Sequence, residues 1–480
     1  MAWATGMTSL RRSFNALAVC LLCAVPVSVS SQAAAPAPFT PGQMVETVVC
    51  GSDPTQSYAL YLPSTYTSAK PWPIIYAFDP GARGKLPVKL YKDIAEKYGF
   101  ILAASNNSRN FSFADSSKGA SAMWQDTHNR LSLDERRIYT TGFSGGARMA
   151  GTVALRCSQC RIAGVIAHGA GYPSTNRPAD RDHLLYFLAV GEQDFNWPEV
   201  MTVRREREEA GQPYQVRTFS GPHQWAPASV LEQAVAWMQL KAMQAGTVAR
   251  DESFIERDFQ QTLGEANDAE KGGDAIAELN ALRSLVSDFS GPKDVSAQEK
   301  KLAALKTSAA LKEALKKEQD LISMQQSLMG EIAPDLSALA NADGEQRMSV
   351  RRDVFAGMNR LRNEAAHNKS EEKRHVYSRA LAGLWAQGIE TGQAQFEAHN
   401  YATAEYYFQL MADLDDDPWP TLLLAEARTG LGNHKQAIKD LRDAVKRGLK
   451  NPEVLENDAN LQPLGSEPEF QKLLAELKGK

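Results

Sequence analysis

The sequence predicts a mostly parallel α/β sheet with helices on both faces, followed by an all-α region built partly from repeats. Three observations lead there. From Val45 to Ala245 short apolar runs alternate with helical patterns. One of those runs gives way to a helix at Gly142-Phe143-Ser144-Gly145-Gly146, with a serine between glycines. Beyond Ala245 strand-type runs vanish, and Ala, Leu, Glu and Lys recur at helical spacing. The chain has 480 residues, 43% of them hydrophobic, enough for two or three domains with their own cores.

Taken in order, residues 44–50 and 57–63 read as opening antiparallel strands. The runs WPIIYAF (72–78), FILAAS (100–105), RRIYTTGF (136–143), IAGVIAH (162–168) and LLYFLAV (184–190) read as buried strands, apolar on both faces as a covered sheet requires. Helical patterns separate them at 89–99, 119–131, 146–157 and 197–211; a last strand at 214–219 precedes a last helix within 224–243. The expected sheet domain spans 45–245.

The region 250–385 reads as helical with degenerate repeats, and 386–480 as a repeat domain. Asn400 and Asn433, Tyr401 and His434, Ala404 and Ala437, and Phe408 and Leu441 each lie 33 residues apart. That period resembles tetratricopeptide repeats, in which two helices pack through a small residue. Tyr401, Tyr406, Tyr407 and Phe408 are then expected in the repeat core, and the acidic run at 413–419 as a solvated connection.

The N-terminus carries Arg11 and Arg12, an apolar run interrupted by Pro26, and small residues up to Ala35, the three-part layout of a signal peptide over 1–35. The expected product is exported, periplasmic or extracellular, with no membrane span after signal removal. Loss of the two arginines takes the formal net charge from −4 to −6, which argues against nucleic acid as a partner. Cys50, Cys157 and Cys160 remain. The pair Cys157/Cys160 reads as a structural disulfide, because neither a second cysteine pair for zinc nor a strand-to-helix start for a redox pair accompanies it.

The chemistry centres on Ser144. Between glycines at a strand-to-helix turn, a serine hydroxyl is thrust above the sheet, and the Gly145 N–H is aimed at any oxyanion formed there. A serine is a poor nucleophile near neutral pH, so a base and an orienting acid must follow on suitable loops. Asp194, after the strand 184–190, is the expected acid, with Glu192 as rival; a carboxylate at the carboxyl end of a late strand borders the crevice of such a sheet. His223, after the last strand, is the expected base. His128 reads as a surface helix residue, His183 as lying on the wrong edge, His168 as a packed strand end, and His367 and His399 belong to the helical half. A second oxyanion donor is expected from the loop after 72–78, at Gly81 or Ala82, since Pro80 has no N–H. Arg83 and Lys85 bring positive charge to that loop, read either as a solvated loop end or as a site for an acidic group.

With GFSGGA, Asp194 and His223 in that order, the region resembles the α/β-hydrolase superfamily, in its polyhydroxybutyrate depolymerase-like, feruloyl esterase-like and carboxylesterase branch; the run SLDERRIYTTGFSGGARMA is close to that branch's pattern. The resemblance implies Ser144 as nucleophile, His223 as general base and acid, and Asp194 as its orienting residue. It implies hydrolysis of carboxylic esters, small or polymeric, through an acyl-enzyme, with no cofactor and no metal. Asp79 and Pro80 depart from the His-Gly that usually opens the oxyanion loop of that family. Two other readings share the sequence: a peptidase of the prolyl-oligopeptidase type, and a non-catalytic scaffold whose repeats bind a protein or peptide.

Overall fold

The computed structural model describes residues 39–479 apart from 111, 158 and 172–183. The expected signal segment and His183 lie outside the described residues. The sheet has eight strands: β1 (Met44–Val49), β2 (Ser57–Tyr61), β3 (Trp72–Phe78), β4 (Ile101–Ser105), β5 (Leu133–Phe143), β6 (Gly164–His168), β7 (Leu185–Gly191) and β8 (Tyr214–Phe219). Their spatial order is β1-β2-β4-β3-β5-β6-β7-β8. The pairs β1/β2 and β2/β4 are antiparallel, and every other neighbouring pair is parallel.

The connecting helices are α1 (Lys85–Tyr98), α2 (Phe113–Arg130), α3 (Gly145–Arg156), α4 (Trp197–Glu209) and α5 (Ala228–Gln244). Side chains alternate across each strand, so one strand feeds two cores. Ile74, Tyr76 and Phe78 of β3 face α2, α3 and α4 through Met123, Ala147, Ala150 and Val200. Ile75 and Ala77 face α1 and α5 through Tyr91, Ile94, Leu231 and Trp237. This is the physical cause of the doubly apolar strand sequences: both faces of the sheet are covered.

The rest is helical: α6 (Glu252–Gly272), α7 (Ala275–Phe289), α8 (Ser296–Thr307), α9 (Ala309–Ala338), α10 (Gly344–His367), α11 (Glu371–Glu397), α12 (Tyr401–Leu414), α13 (Pro418–Gly430), α14 (His434–Lys446), α15 (Pro452–Glu456), a 3-10 turn (Ala459–Leu464) and α16 (Pro468–Lys478). Side-chain caps set several starts: Asp251, Asp274 and Ser308 accept from Phe254, Ala277 and Leu311 N–H. Helix α11 runs without a break across residues 385 and 386. Ala404 and Ala437, paired by the 33-residue spacing, are both fully buried. Tyr407 and Phe408 are core, as expected, but Tyr406 is exposed beneath the Arg347 guanidinium, 4.2 Å from the ring centroid. Successive residues on a helix point about 100° apart, so three aromatics in a row cannot share one buried face.

The helical region is bound tightly to the sheet. Asp288 of α7, 1% exposed, accepts from Gln215 of β8 at 2.6 Å and from Trp237 of α5 at 3.0 Å, and pairs with Lys241 at 2.7 Å. Arg204 of α4 pairs with Glu318 of α9. Each charge lost to burial there is matched by an opposite charge or a donor.

Candidate active site

Ser144 stands where β5 turns into α3, at φ 54° and ψ −121°. A non-glycine residue in that region is strained and is held there by its surroundings. Both flanking glycines are needed. A Cβ on Gly142 would lie 2.2 Å from the carbonyl oxygen of Gly146, and a Cβ on Gly146 would lie 2.1 Å from that of Phe78 in β3. Ser144 N–H donates to the His168 carbonyl at 2.8 Å, tying the turn to the end of β6. Gly145 is the first residue of α3, so its N–H has no acceptor within the helix and lies at the positive end of its dipole.

Asp194 follows β7 and is fully buried; its Oδ1 accepts from His223 Nδ1 at 2.8 Å and from Asn196 N–H at 2.8 Å. His223 sits between β8 and α5, its ring flanked by Phe143 and Phe195 with centroids 4.5 and 4.2 Å away. Gly169, at φ 61°, closes the group: a Cβ there would be 2.7 Å from Asp194 Oδ2, 3.0 Å from Phe143 and 3.1 Å from His223 Nδ1. Ser144, Asp194 and His223 thus leave the carboxyl ends of β5, β7 and β8 on one edge of the sheet. Between the two acids considered from sequence, Asp194 holds the histidine. The Glu192 backbone carbonyl instead accepts from Arg379 at 3.2 Å.

The loop after β3 departs from expectation. Gly81 N–H donates to Asp79 Oδ1 at 2.9 Å, and Ala82 N–H to the Asp79 carbonyl at 3.1 Å. Both of the N–H groups expected as oxyanion donors are therefore taken by the loop's own turn. Buried Asp79 also accepts from Trp225 Nε1 at 3.0 Å, linking this loop to the His223 loop, and from Arg83 Nε at 2.7 Å. Arg83 is thus paired with Asp79, and Lys85 with Glu46. The reason is local: a buried carboxylate must be matched, and Asp79 gathers the nearest donors. The residue that sequence reasoning missed is Asn110. Its carboxamide oxygen would be 1.8 Å from a Cβ on Gly145, so the amide lies directly against the residue after Ser144. No motif marks Asn110; it reaches the site because Asn110 N–H bonds to the Pro80 carbonyl at 2.9 Å and Arg109 bridges Gly81.

His168 is a packed strand end, as expected: fully buried, with Nε2 2.9 Å from the Tyr91 hydroxyl. Burial pulls its pKa down to about 3, so it stays neutral. His128 is less exposed than expected, stacked on Trp124 at 4.1 Å. The cysteine pair is joined as a Cys157–Cys160 disulfide, while Cys50 is buried and free, its thiol pushed up to about 11 by burial. Asp417, in the acidic run, caps α13 through Trp419 N–H at 2.7 Å, and Asp413 pairs with Arg351.

No protein-family model matches the sequence, and no curated protein matches it. Solved structures similar to part of the chain include a fluorophosphonate-binding serine hydrolase F of Staphylococcus aureus, at 14% identity and TM-score 0.34, covering 41% of this chain and 98% of that one. A ferulic acid esterase is 15% identical with TM-score 0.32 over 41% and 96% of the two chains. An esterase of Thermogutta terrifontis is 15% identical with TM-score 0.35 over 45% and 96%.

Proposed function

We propose that the chain is a serine hydrolase that cleaves carboxylic esters through an acyl-enzyme. One observation carries the reading: a strained serine at a strand-to-helix turn shares a sheet edge with a histidine whose Nδ1 is held by a fully buried aspartate. The strained turn holds Ser144 at the sheet edge, and the Asp194 bond fixes the tautomer that leaves Nε2 of His223 free to take a proton.

In acylation, Ser144 Oγ attacks the ester carbonyl while His223 Nε2 accepts the hydroxyl proton. The tetrahedral oxyanion is stabilised by the Gly145 N–H at the positive end of α3, and the second donor is the Nδ2 amino group of Asn110, whose carboxamide lies beside Gly145. Collapse breaks the carbon–oxygen bond to the alcohol, which leaves with the proton held by His223. Water then attacks the acyl-enzyme, giving its proton to His223; the acid departs and the proton returns to Ser144. The protein acts outside the cytoplasm after loss of residues 1–35.

The test is hydrolysis of short and long p-nitrophenyl esters, with fluorophosphonate labelling, by the protein and by Ser144→Ala. Loss of both in the variant supports the reading. Failure of the folded native protein to label refutes it. The N-terminal sequence of the protein recovered from the periplasm or medium tests export.

A further inference from the structure

The helical half clasps the loop that carries the catalytic acid. Gln325 of α9, 1% exposed, donates from Nε2 to the Phe195 carbonyl at 2.9 Å, and the Phe195 ring lies tilted against His223. Gly383 of α11 lies against the same residue, with a Cβ position 3.4 Å from Phe195 Cβ. Four residues earlier on α11, Arg379 is 4% exposed; its Nη1 donates to the Glu192 carbonyl at 3.2 Å and its guanidinium lies 5.1 Å from the Trp197 ring centroid. Residues 192 and 195 of the loop, and Trp197 where the loop enters α4, are thus each held by α9 or α11, around Asp194.

Three polar atoms in this cluster are buried and without a hydrogen bond among the described residues: Asp194 Oδ2, Arg379 Nε and Gln325 Oε1. A carboxylate and a guanidinium brought into one water-poor region attract each other even without a direct bond. Arg379 feels Asp194, Glu192 and Glu318 as the charges that oppose its desolvation, which nonetheless pulls it down to about 10. The other charged groups around the pair are Arg148 of α3, bound to Glu199 of α4, and Glu390 of α11, which senses both Arg148 and His223 and is pushed up by burial. Glu318 is already matched by Arg204.

We propose that Arg379 is a positioning residue of the active site, through which the helical half fixes the acid loop and balances the negative charge of the Asp194–His223 pair. The hydrolase domain is then incomplete without α9 and α11. This rests on the serine-hydrolase reading above and adds to it a reason why the two halves are bound together.

The experiment follows kcat/KM against pH for a p-nitrophenyl ester with the full-length protein, Arg379→Met, Arg379→Lys and Glu192→Gln. Methionine keeps the apolar stem over Trp197 and removes the charge. His223 must be neutral to act as base; removing the cation that balances Asp194 leaves more negative charge beside the imidazole, which favours its protonated form and moves the acid limb to higher pH. The expected result in Arg379→Met is an acid limb moved to higher pH, with about a tenfold loss of kcat/KM below it. Arg379→Lys restores most of that shift, and Glu192→Gln, which removes a negative charge, moves the limb the other way. A purely structural role lowers the plateau and leaves the limb in place. An unmoved limb in Arg379→Met, or in Glu192→Gln should the first variant not fold, overturns the proposal. Fluorophosphonate labelling separates the two ideas: labelled native protein with unmoved limbs defeats only the role of Arg379, whereas unlabelled native protein defeats the hydrolase reading and this one with it.

Discussion

Replacing Gly146 by alanine tests how closely the chemistry depends on one backbone contact. The added methyl would lie 2.1 Å from the Phe78 carbonyl oxygen and 2.6 Å from its carbonyl carbon, where no real Cβ comes within 3.0 Å. These atoms, with Asp79 N at 3.2 Å, are all backbone at the end of β3, so no side chain can rotate away. The two elements must part by about 1 Å, and overpacking of this kind costs about 1–3 kcal/mol. The same displacement moves Ser144, two residues before, relative to the Asp79 loop and the Asn110 amide anchored to Pro80. A misplacement of ~1 Å costs ~10²-fold in rate, or about 2.7 kcal/mol of transition-state stabilisation. Gly146→Ala should therefore lose about two orders of magnitude in ester kcat/KM and in the rate of fluorophosphonate labelling, while remaining folded with a lower urea midpoint. Labelling within twofold of the native rate at unchanged stability would refute the argument.

Other outcomes follow from the same structure. Asn110→Ala should lower kcat ~10²-fold with little change in thermal stability, the loss expected for one oxyanion donor; an unchanged kcat removes Asn110 from the mechanism. His168 is neutral in the fold with its pKa pulled to about 3, whereas the unfolded chain protonates it below about 6.5. The unfolded state binds the extra proton in that window, so this residue's contribution to stability is complete above pH 6.5 and declines toward pH 3. The loss is about 2 kcal/mol by pH 5. Urea titrations at pH 7.5 and 5.0 should show a smaller pH dependence in His168→Gln; an equal dependence contradicts this account. Replacing both Cys157 and Cys160 by serine should cost no more than about 2 kcal/mol, because the loop they close is short. Calorimetry checks that figure, and the ester activity of the double variant should stay at the native level.

The extent to which the site was legible in the sequence varied with the kind of residue. Ser144 was marked by its glycines because the turn it occupies admits no side chain at Gly142 or Gly146. Asp194 and His223 were legible because a parallel sheet puts the end of every strand on one edge, so chain order alone brings them near each other. The rival Glu192 could not be excluded from sequence: two residues apart on a loop, only the fold says which carboxylate turns inward. The oxyanion loop misled for a related reason. Gly81 and Ala82 occupy the expected place, but buried Asp79 recruits the Gly81 N–H and its carbonyl takes that of Ala82.

What the sequence by itself determined is the local pattern: doubly apolar strands, helical periodicity, a glycine-flanked serine, and a 33-residue spacing that places Ala404 and Ala437 in equivalent buried positions. These depend on residues close in the chain, where spacing and side-chain size suffice. Only the tertiary structure decided that Asn110 meets Gly145, that Asp288 fastens α7 to β8, and that Arg379 and Gln325, more than a hundred residues downstream, hold the loop of Asp194. Such contacts leave no local signature, because an asparagine, an arginine or a glutamine satisfies helix or loop requirements equally well whether it faces water or a buried carboxylate. Packing of the helical half against the sheet selects between those outcomes, and the desolvation of each polar group makes the selection strict.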